Sequence, residues 1–195
     1  MALPPGREKR CGLTFRVLGV DIGINKPVPL AKGRNRLRIV VFGLALLVLA
    51  LDQGTKRWAV SELADGRSIS LIGDLLRFRL LYNPGAAFSI GEGFTWVFTL
   101  AAAVMVVVIA VYARRVRSLG WSIGLGLVLG GAVTHLLDRL FREPAFARGH
   151  VVDFIDYAGF FVGNVADIAI VGGAAMLAVM NLRGIDISTV PGSED

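Results

Sequence analysis

Four long segments of the chain are apolar and contain few or no charged side chains. No Asp, Glu, Lys or Arg occurs from Gly93 to Ala113 or from Ser118 to Leu137. A third run begins at Ile39 and reaches spanning length if it continues to about Trp58, and a fourth extends from Val165 to Leu182. Because a bilayer core needs about 20 apolar residues per helix, the pattern predicts an all-α membrane protein with four transmembrane helices.

The stretch between the first two helices, Ala59 to Gly93, has a different pattern. Polar and apolar residues alternate in Ser68–Leu71 and again in Arg77–Leu80, which is typical of half-buried strands. We predict a small β cradle there, resting on the membrane surface. The 24 glycines include many in the third and fourth helices, where small residues allow tight packing in lipid.

Basic residues are unevenly distributed. The chain has 21 basic and 15 acidic residues, a net charge of +6. Most of the excess precedes the first helix or lies between helices two and three: Arg7, Lys9, Arg10, Arg16, Lys26, Lys32, Arg34, Arg36 and Arg38, then Arg114, Arg115 and Arg117. Because basic loops stay in the cytoplasm, both termini are predicted to be cytoplasmic and the β cradle extracytoplasmic. Contact with anionic lipids fits these residues better than nucleic acid, since no stacking aromatics interleave them.

Three parts are expected along the chain. Residues 1–36 form a basic cytoplasmic extension, expected to be loosely ordered because it is rich in proline and glycine. Residues 37–182 form the membrane domain, and 183–195 a short cytoplasmic tail. Cys11 is the only cysteine, so a disulfide framework or cysteine-based metal site within one chain is excluded.

Asp167 is the only charged residue between Tyr157 and Leu182. An ionisable group at membrane depth costs at least about 2.5 kcal/mol, so a chain that keeps one usually uses it. Under the predicted topology, other polar groups lie near the outer ends of the helices, on the same side of the membrane as Asp167. They are Asp52, Lys56, the segment Asn83–Phe88 with Gly85, Asp138, Arg139, Asp153 and Asn164. We predict one composite site at the outer membrane interface.

Carboxylates dominate that site, and the sequence has no HExxH motif. Two aspartates held close together, one ionised and one protonated, can activate water for amide hydrolysis. The candidates are Asp52, Asp138, Asp153, Asp156 and Asp167.

Sequence neighbours rank these aspartates. Asp138 precedes Arg139, and Asp52 lies one turn before Lys56, so both are predicted to form structural or substrate-clamping pairs. Asp153 and Asp167 have apolar neighbours and no adjacent cation, which favours the protonated form that one member of a dyad needs. Asp156 is a reserve candidate, expected to be solvated.

Five short motifs occur in order along the chain. They are Asp52-Gln53-Gly54-Thr55-Lys56, Asn83-Pro84-Gly85-Ala86-Ala87-Phe88, Gly130-Gly131-Ala132 followed by Asp138-Arg139, Val151-Val152-Asp153-Phe154, and Asn164-Val165-Ala166-Asp167. Together they resemble the lipoprotein signal peptidase (signal peptidase II) family of bacterial membrane aspartyl peptidases, over about residues 37 to 182.

The resemblance implies a four-helix fold in the bacterial cytoplasmic membrane, with a β cradle and a small amphipathic helix over a site at the extracytoplasmic face. It implies prolipoprotein substrates whose lipobox cysteine carries diacylglycerol, cleaved just before that cysteine. No metal or organic cofactor is implied, and the oligomeric state is left open. By their positions in the motifs, the resemblance implies that Asp153 and Asp167 are the catalytic dyad. It implies that Asn83, Arg139 and Asn164 contact the substrate, and that Asp52, Lys56 and Asp138 form a supporting network.

The chain departs from the family pattern at Thr134-His135, where Gly-Asn is usual, and at Gly163, where an aromatic residue is usual. His135 lies one helical turn before Asp138 and either donates a hydrogen bond to it or packs at the interface.

Two other functions are compatible with parts of the sequence. The pairs His135-x-x-Asp138 and His150-x-x-Asp153 could hold zinc, and Asp167 could serve an ion-coupled transporter. The peptidase dyad is favoured because Arg139 adjoins Asp138, and because the carboxylates gather at one face instead of along a conduit.

Overall fold

Four long helices account for most of the fold. The structure, a computed structural model, describes residues 14–17, 20–23, 31–85, 94–185 and 187. The helices are α1 (Ala31–Leu63), α2 (Thr95–Tyr112), α3 (Leu119–Phe141) and α4 (Val165–Leu182). All four are long and apolar enough to cross a membrane, which confirms the helix prediction. A short 3₁₀ helix, Ala113–Arg115, follows α2 in the basic link to α3.

The segments between α1 and α2 and between α3 and α4 together form a four-stranded antiparallel sheet. Its strands are β3 (Ile69–Ile72), β4 (Leu76–Asn83), β5 (Val151–Tyr157) and β6 (Phe161–Gly163), and they are hydrogen-bonded in that order. The two strands predicted after the first helix are confirmed. The sequence places the motif Val151–Phe154 in a loop after the third helix, and this expectation is wrong: the motif begins strand β5. The strand is buried along almost its whole length, and a fully buried strand shows no alternation of polar and apolar residues.

An extra residue in β4 interrupts its ladder with β5. Phe78 is paired with Ile155 and Leu81 with Asp153, so three steps along β4 match two along β5. Such a β-bulge bends its strand and increases the local twist. The bulge therefore adjusts the direction in which β4 continues to Asn83.

The N-terminal part forms a compact unit of its own, Met1–Lys32, separate from Gly33–Asp195. Within it, β1 (Thr14–Val17) pairs antiparallel with β2 (Val20–Gly23). Cys11, the segment 86–93 and the tail from residue 188 lie outside the described residues, so the predicted division at residues 36 and 182 stays a prediction. The small amphipathic helix that the resemblance implies is not among the helices of the described ranges.

Glycines bring α3 into close contact with the neighbouring helices. A Cβ added at Gly130 would lie 2.9 Å from the carbonyl oxygen of Ala45 on α1, and one at Gly131 would lie 2.8 Å from that of Ala166 on α4. Backbone oxygens at such distances leave no room for a side chain. The predicted role of these glycines in helix packing is confirmed at both positions, and α3 is the helix on which the other elements of the site are assembled.

Gly172 and Gly173, adjacent on α4, offer a matched test of this packing. A Cβ at Gly173 would lie 2.8 Å from Gly124 O, whereas a Cβ at Gly172 would meet nothing within 4 Å. We expect Gly173→Ala to destabilise the protein by about 1–3 kcal/mol through overpacking. Gly172→Ala should be neutral or stabilise it by up to about 1 kcal/mol through helix propensity. Thermal unfolding midpoints in detergent check this, and equal midpoints for the two variants would contradict it.

Candidate active site

A lysine buried between two aspartates joins α1 to α3. Lys56 Nζ lies 2.7 Å from Asp52 Oδ2 and 2.7 Å from Asp138 Oδ2. None of the three side chains has more than 1% of its surface exposed. The predicted pair of Asp52 and Lys56 is thus present, and Asp138 shares it. We call these three residues the buried ion cluster. Because one ammonium faces two carboxylates, the cluster needs further hydrogen-bond donors to be stable.

Side chains of α1 and α3 supply these donors. Arg142 Nε donates to Asp138 Oδ1 over 2.7 Å, and Gln53 Nε2 donates to the same oxygen over 2.9 Å. Thr134 Oγ1 donates to Asp52 Oδ2 and accepts from Gln53 Nε2. Sequence reasoning missed Gln53, Thr134 and Arg142 as members of this network. The available signal was spacing, since residues four apart share one face of a helix and Thr134, Asp138 and Arg142 are so spaced.

Arg139 points away from the buried ion cluster. Its guanidinium donates to the backbone carbonyl oxygens of Asn83, Pro84 and Gly149, each over 3.0 Å. It also donates to the carbonyl oxygen of Gly85. Neighbouring residues on a helix point about 100° apart, so Arg139 and Asp138 face different sides of α3. The predicted pairing of Asp138 with Arg139 is therefore wrong. Asp138 is paired with Lys56 and Arg142, and Arg139 holds residues 83–85 against α3.

The first turn of α4 is fixed from two directions. Asp52 Oδ1 accepts a hydrogen bond from the backbone N–H of Ala166 over 2.9 Å. Asn164 caps the helix: its Oδ1 accepts from the N–H of Asp167 over 3.1 Å, while Asp167 Oδ2 accepts from the N–H of Asn164 over 2.9 Å. This capping box satisfies N–H groups that a helix start leaves unpaired. It also holds the carboxylate of Asp167 in place.

Asp153 lies on β5, buried, with both carboxylate oxygens engaged by amides. Asn83 Nδ2 donates to Oδ2 over 3.0 Å, and Asn164 Nδ2 donates to Oδ1 over 2.6 Å. Burial raises the pKa of Asp153 to about 6; the hydrogen bond from Asn83 opposes this rise and the negative charge of Asp167 adds to it. Asn164 contacts both Asp153 and Asp167 and so fixes their relative position.

His135 lies on the face of α3 that carries Arg139, four residues further on. Its Nε2 is 3.1 Å from Asp167 Oδ1. The side chain of His135 is 20% exposed and that of Asp167 29%. Of the two alternatives for His135, the hydrogen bond to Asp138 is wrong, because the carboxylate of Asp138 is turned toward Lys56 while the imidazole is turned toward α4.

Both predicted dyad aspartates line one cavity of about 200 Å³. The remaining lining combines polar groups with apolar side chains: Asn83, Gly85, His135 and Arg139, then Phe98, Ala102, Val151 and Phe161. A mostly apolar cavity with a few convergent polar groups is the usual form of a ligand site. Of the other predicted site residues, the buried ion cluster lies off the cavity, and Asn164 connects the two through Asp153 and α4.

Asp156 is not solvated, contrary to expectation. It has no exposed surface, and its Oδ2 lies 3.0 Å from Arg77 Nε and 3.3 Å from Arg79 Nε. Burial alone would raise the pKa of Asp156, but the hydrogen bond from the N–H of Gly159 and the charges of the two arginines outweigh it and hold the pKa below its ordinary value. Asp156 is thus a structural anchor for β4, and it does not line the cavity.

The two His-x-x-Asp pairs do not converge on a common point. His135 contacts Asp167, while Asp138 belongs to the buried ion cluster. Within the described ranges, no group of three or more His, Cys, Asp or Glu side chains is arranged to hold a metal ion. The zinc hypothesis therefore finds no ligand set in this part of the chain.

Comparison with known proteins gives a consistent result. The family described as signal peptidase (SPase) II matches residues 44–183. A protein named lipoprotein signal peptidase from Rhodococcus jostii is 46% identical over 84% of this chain and 81% of its own length. One of the same name from Mycobacterium leprae is 48% identical over 80% of this chain and 77% of its own.

Solved structures share the fold. A bacterial membrane enzyme with 22% sequence identity aligns with a TM-score of 0.65 and covers 80% of this chain and 93% of its own. A second bacterial membrane enzyme, with 24% sequence identity, aligns with a TM-score of 0.64 and covers 73% of this chain and 92% of its own. At these identities the likeness concerns the fold alone.

Removing the buried lysine should destabilise the protein strongly. In Lys56→Met, Asp52 and Asp138 would face each other without their shared cation, and breaking a buried pair typically costs about 3–5 kcal/mol. The matched control is Arg67→Met, which removes a cation from an exposed pair with Glu62 and should cost at most about 1 kcal/mol. Thermal midpoints in detergent measure both. Similar midpoints would contradict a special role for the buried ion cluster.

Proposed function

The chain belongs to the signal peptidase II family, and we propose that it removes the signal peptide from prolipoproteins whose lipobox cysteine carries diacylglycerol, cleaving just before that cysteine. Family membership supports the aspartic peptidase activity. The observation that carries the assignment to residues is that Asp153 and Asp167 line the same cavity and are joined through Asn164. We therefore infer that these two aspartates are the catalytic dyad.

The reaction needs one ionised and one protonated carboxyl group. Two nearby carboxylates favour sharing one proton, and a pKa of about 6 for the buried Asp153 makes it the natural holder of that proton. Asp167, more exposed and placed at the start of α4, is then the base, because a helix N-terminus favours negative charge.

The steps follow from these roles. Asp167 accepts a proton from a water whose oxygen attacks the scissile carbonyl carbon, and Asp153 gives its proton to the carbonyl oxygen. The tetrahedral intermediate then collapses: the C–N bond breaks, the leaving nitrogen takes the proton held by Asp167, and Asp153 recovers its proton from the hydroxyl group. Both carboxyl groups end as they began, and no cofactor is consumed.

Asn83 and Asn164 are supporting residues in this mechanism. Each donates an amide hydrogen bond to a different oxygen of Asp153, which fixes the orientation of its carboxyl group. Arg139 acts further out by holding residues 83–85. We thus assign these three residues to the geometry of the dyad, and leave substrate contact to the exposed part of the cavity.

We place the active site at the extracytoplasmic face of the bacterial cytoplasmic membrane. Basic residues 114–117 follow α2 at the end of the bundle opposite the dyad, and positively charged loops stay in the cytoplasm. The expected partners are lipidated prolipoproteins and membrane lipids. Both termini are then cytoplasmic, because the number of membrane-spanning helices is even.

Cysteine labelling tests this orientation. After Cys11→Ser removes the natural thiol, Asp65→Cys should react with an impermeant maleimide in intact cells, because the turn after α1 is extracytoplasmic. Arg115→Cys should react only after permeabilisation. Both positions are exposed, so reactivity reports the side of the membrane. The reverse pattern would overturn the placement of the site.

Neutralising either dyad residue should abolish cleavage. Asp153→Asn and Asp167→Asn each remove a group that must gain and lose a proton, and general acid–base groups contribute about 10²–10⁴-fold to rates. The measurement is release of signal peptide from a diacylglyceryl-modified substrate at saturating concentration. An unlipidated substrate should remain intact.

Asp156→Asn is the matched control for this test. The residue lies on the same strand but contacts Arg77 and Arg79 outside the cavity, so we expect lower stability with turnover retained. Substantial turnover by Asp153→Asn or Asp167→Asn would contradict the dyad. Loss of turnover in a folded Asp156→Asn would contradict the assignment of Asp156 as a structural anchor outside the cavity.

A further inference from the structure

His135 contacts the dyad directly, although no step described above uses it. Its Nε2 lies 3.1 Å from Asp167 Oδ1, and the imidazole lines the same cavity as both aspartates. The other oxygen of Asp167, Oδ2, accepts the hydrogen bond of the capping box. The imidazole is therefore the side chain that engages the one carboxylate oxygen which the helix cap leaves open.

Donation from Nε2 would have a definite effect on the reaction. A hydrogen bond to an ionised carboxylate stabilises the negative charge, and it is stronger than one between neutral groups. Asp153 already has amide donors on both oxygens, and Asp167 has a backbone donor on one. A donor at the second oxygen of Asp167 thus favours the charge arrangement in which Asp167 is ionised and Asp153 holds the proton.

We propose that His135 is a positioning residue for the peptidase reaction, donating from Nε2 to Asp167 Oδ1 and so fixing Asp167 as the carboxylate that takes the proton of water. This inference rests on the proposed function. During the reaction the imidazole keeps its proton: the water proton goes to Asp167 and later to the leaving nitrogen, while the Nε2–H bond stays intact.

Other charged groups around the imidazole do not take this role. On β5, Asp153 is engaged by two amides. On α3, the guanidinium of Arg139 is committed to backbone carbonyls, and Asp138 is turned to the buried ion cluster. On α4, Asp167 is the charged group in contact with the ring. The imidazole thus makes its hydrogen bond to Asp167, and its charge, when it is protonated, also acts to lower the pKa of Asp153.

Two variants of similar shape separate donation from packing. Glutamine carries an amide nitrogen about as far from the backbone as Nε2, whereas methionine has similar length and flexibility but no donor. We expect His135→Met to lower kcat about ten- to a hundredfold, the usual effect of losing a hydrogen bond to a charged group, with KM changed less than about threefold. His135→Gln should restore most of kcat.

The pH profile of kcat/KM gives a readout that packing would not move. Its acid limb reports protonation of the base in the free enzyme. Without a donor, the ionised base is less stable and is protonated at higher pH, so the acid limb of His135→Met should move to higher pH. His135→Gln should keep the limb close to that of the wild type. Thermal midpoints of all three proteins show whether each variant is folded.

The outcomes are distinguishable. A fully active His135→Met with an unshifted acid limb would overturn the role of His135 and leave the proposed function standing. A folded His135→Gln as impaired as the methionine variant would overturn donation as the cause. Failure of the wild type to cleave the lipidated substrate would overturn the proposed function, and this inference with it.

Discussion

The arrangement of the site depends on one requirement, that a charge buried between membrane helices must be neutralised where it lies. Lys56 meets this requirement with an aspartate from its own helix and one from α3. Asp52 in turn accepts the N–H of Ala166, so the same ion cluster reaches α4. Few other ways exist to tie three helices together in lipid, where apolar contact between helices gives little advantage over contact with lipid.

The aspartates that form buried ion pairs between the helices are different from the two that we assign to catalysis. The aspartates of the buried ion cluster face two cations, Lys56 and Arg142. The dyad aspartates are held mainly by neutral donors: the amides of Asn83 and Asn164 on Asp153, and a backbone N–H on Asp167. Neutral donors fix the orientation of a carboxyl group without requiring it to stay ionised. A pair that shares one proton needs this freedom. The two sets of carboxylates therefore lie close together but are held by different kinds of partner.

The sequence alone predicted the elements whose signals are local. Two uncharged runs and two apolar runs with few charges marked the helices, and alternation marked β3 and β4. It failed for β5, whose burial on both faces removes the alternation, and for partners that depend on direction around a helix. Asp138 and Arg139 are neighbours in sequence but point apart, and His135 faces α4 although Asp138 is one turn away. Arg142, four residues after Asp138, was accessible from spacing, whereas Gln53 on α1 and the N–H of Ala166 required the tertiary structure.

The bulge in β4 has a consequence for the length of that segment. A regular ladder from Phe78 to Leu81 would need one residue fewer against β5. The additional residue bends the strand, and Asn83, which pairs with Val151 in the sheet, donates its side-chain amide to Asp153. Deleting one residue at positions 79–80 would leave every pairing partner available and yet redirect the amide. Insertions and deletions in this stretch should therefore be tolerated far less than substitutions of its exposed side chains. The number of residues between Phe78 and Leu81 is thus a structural constraint in its own right.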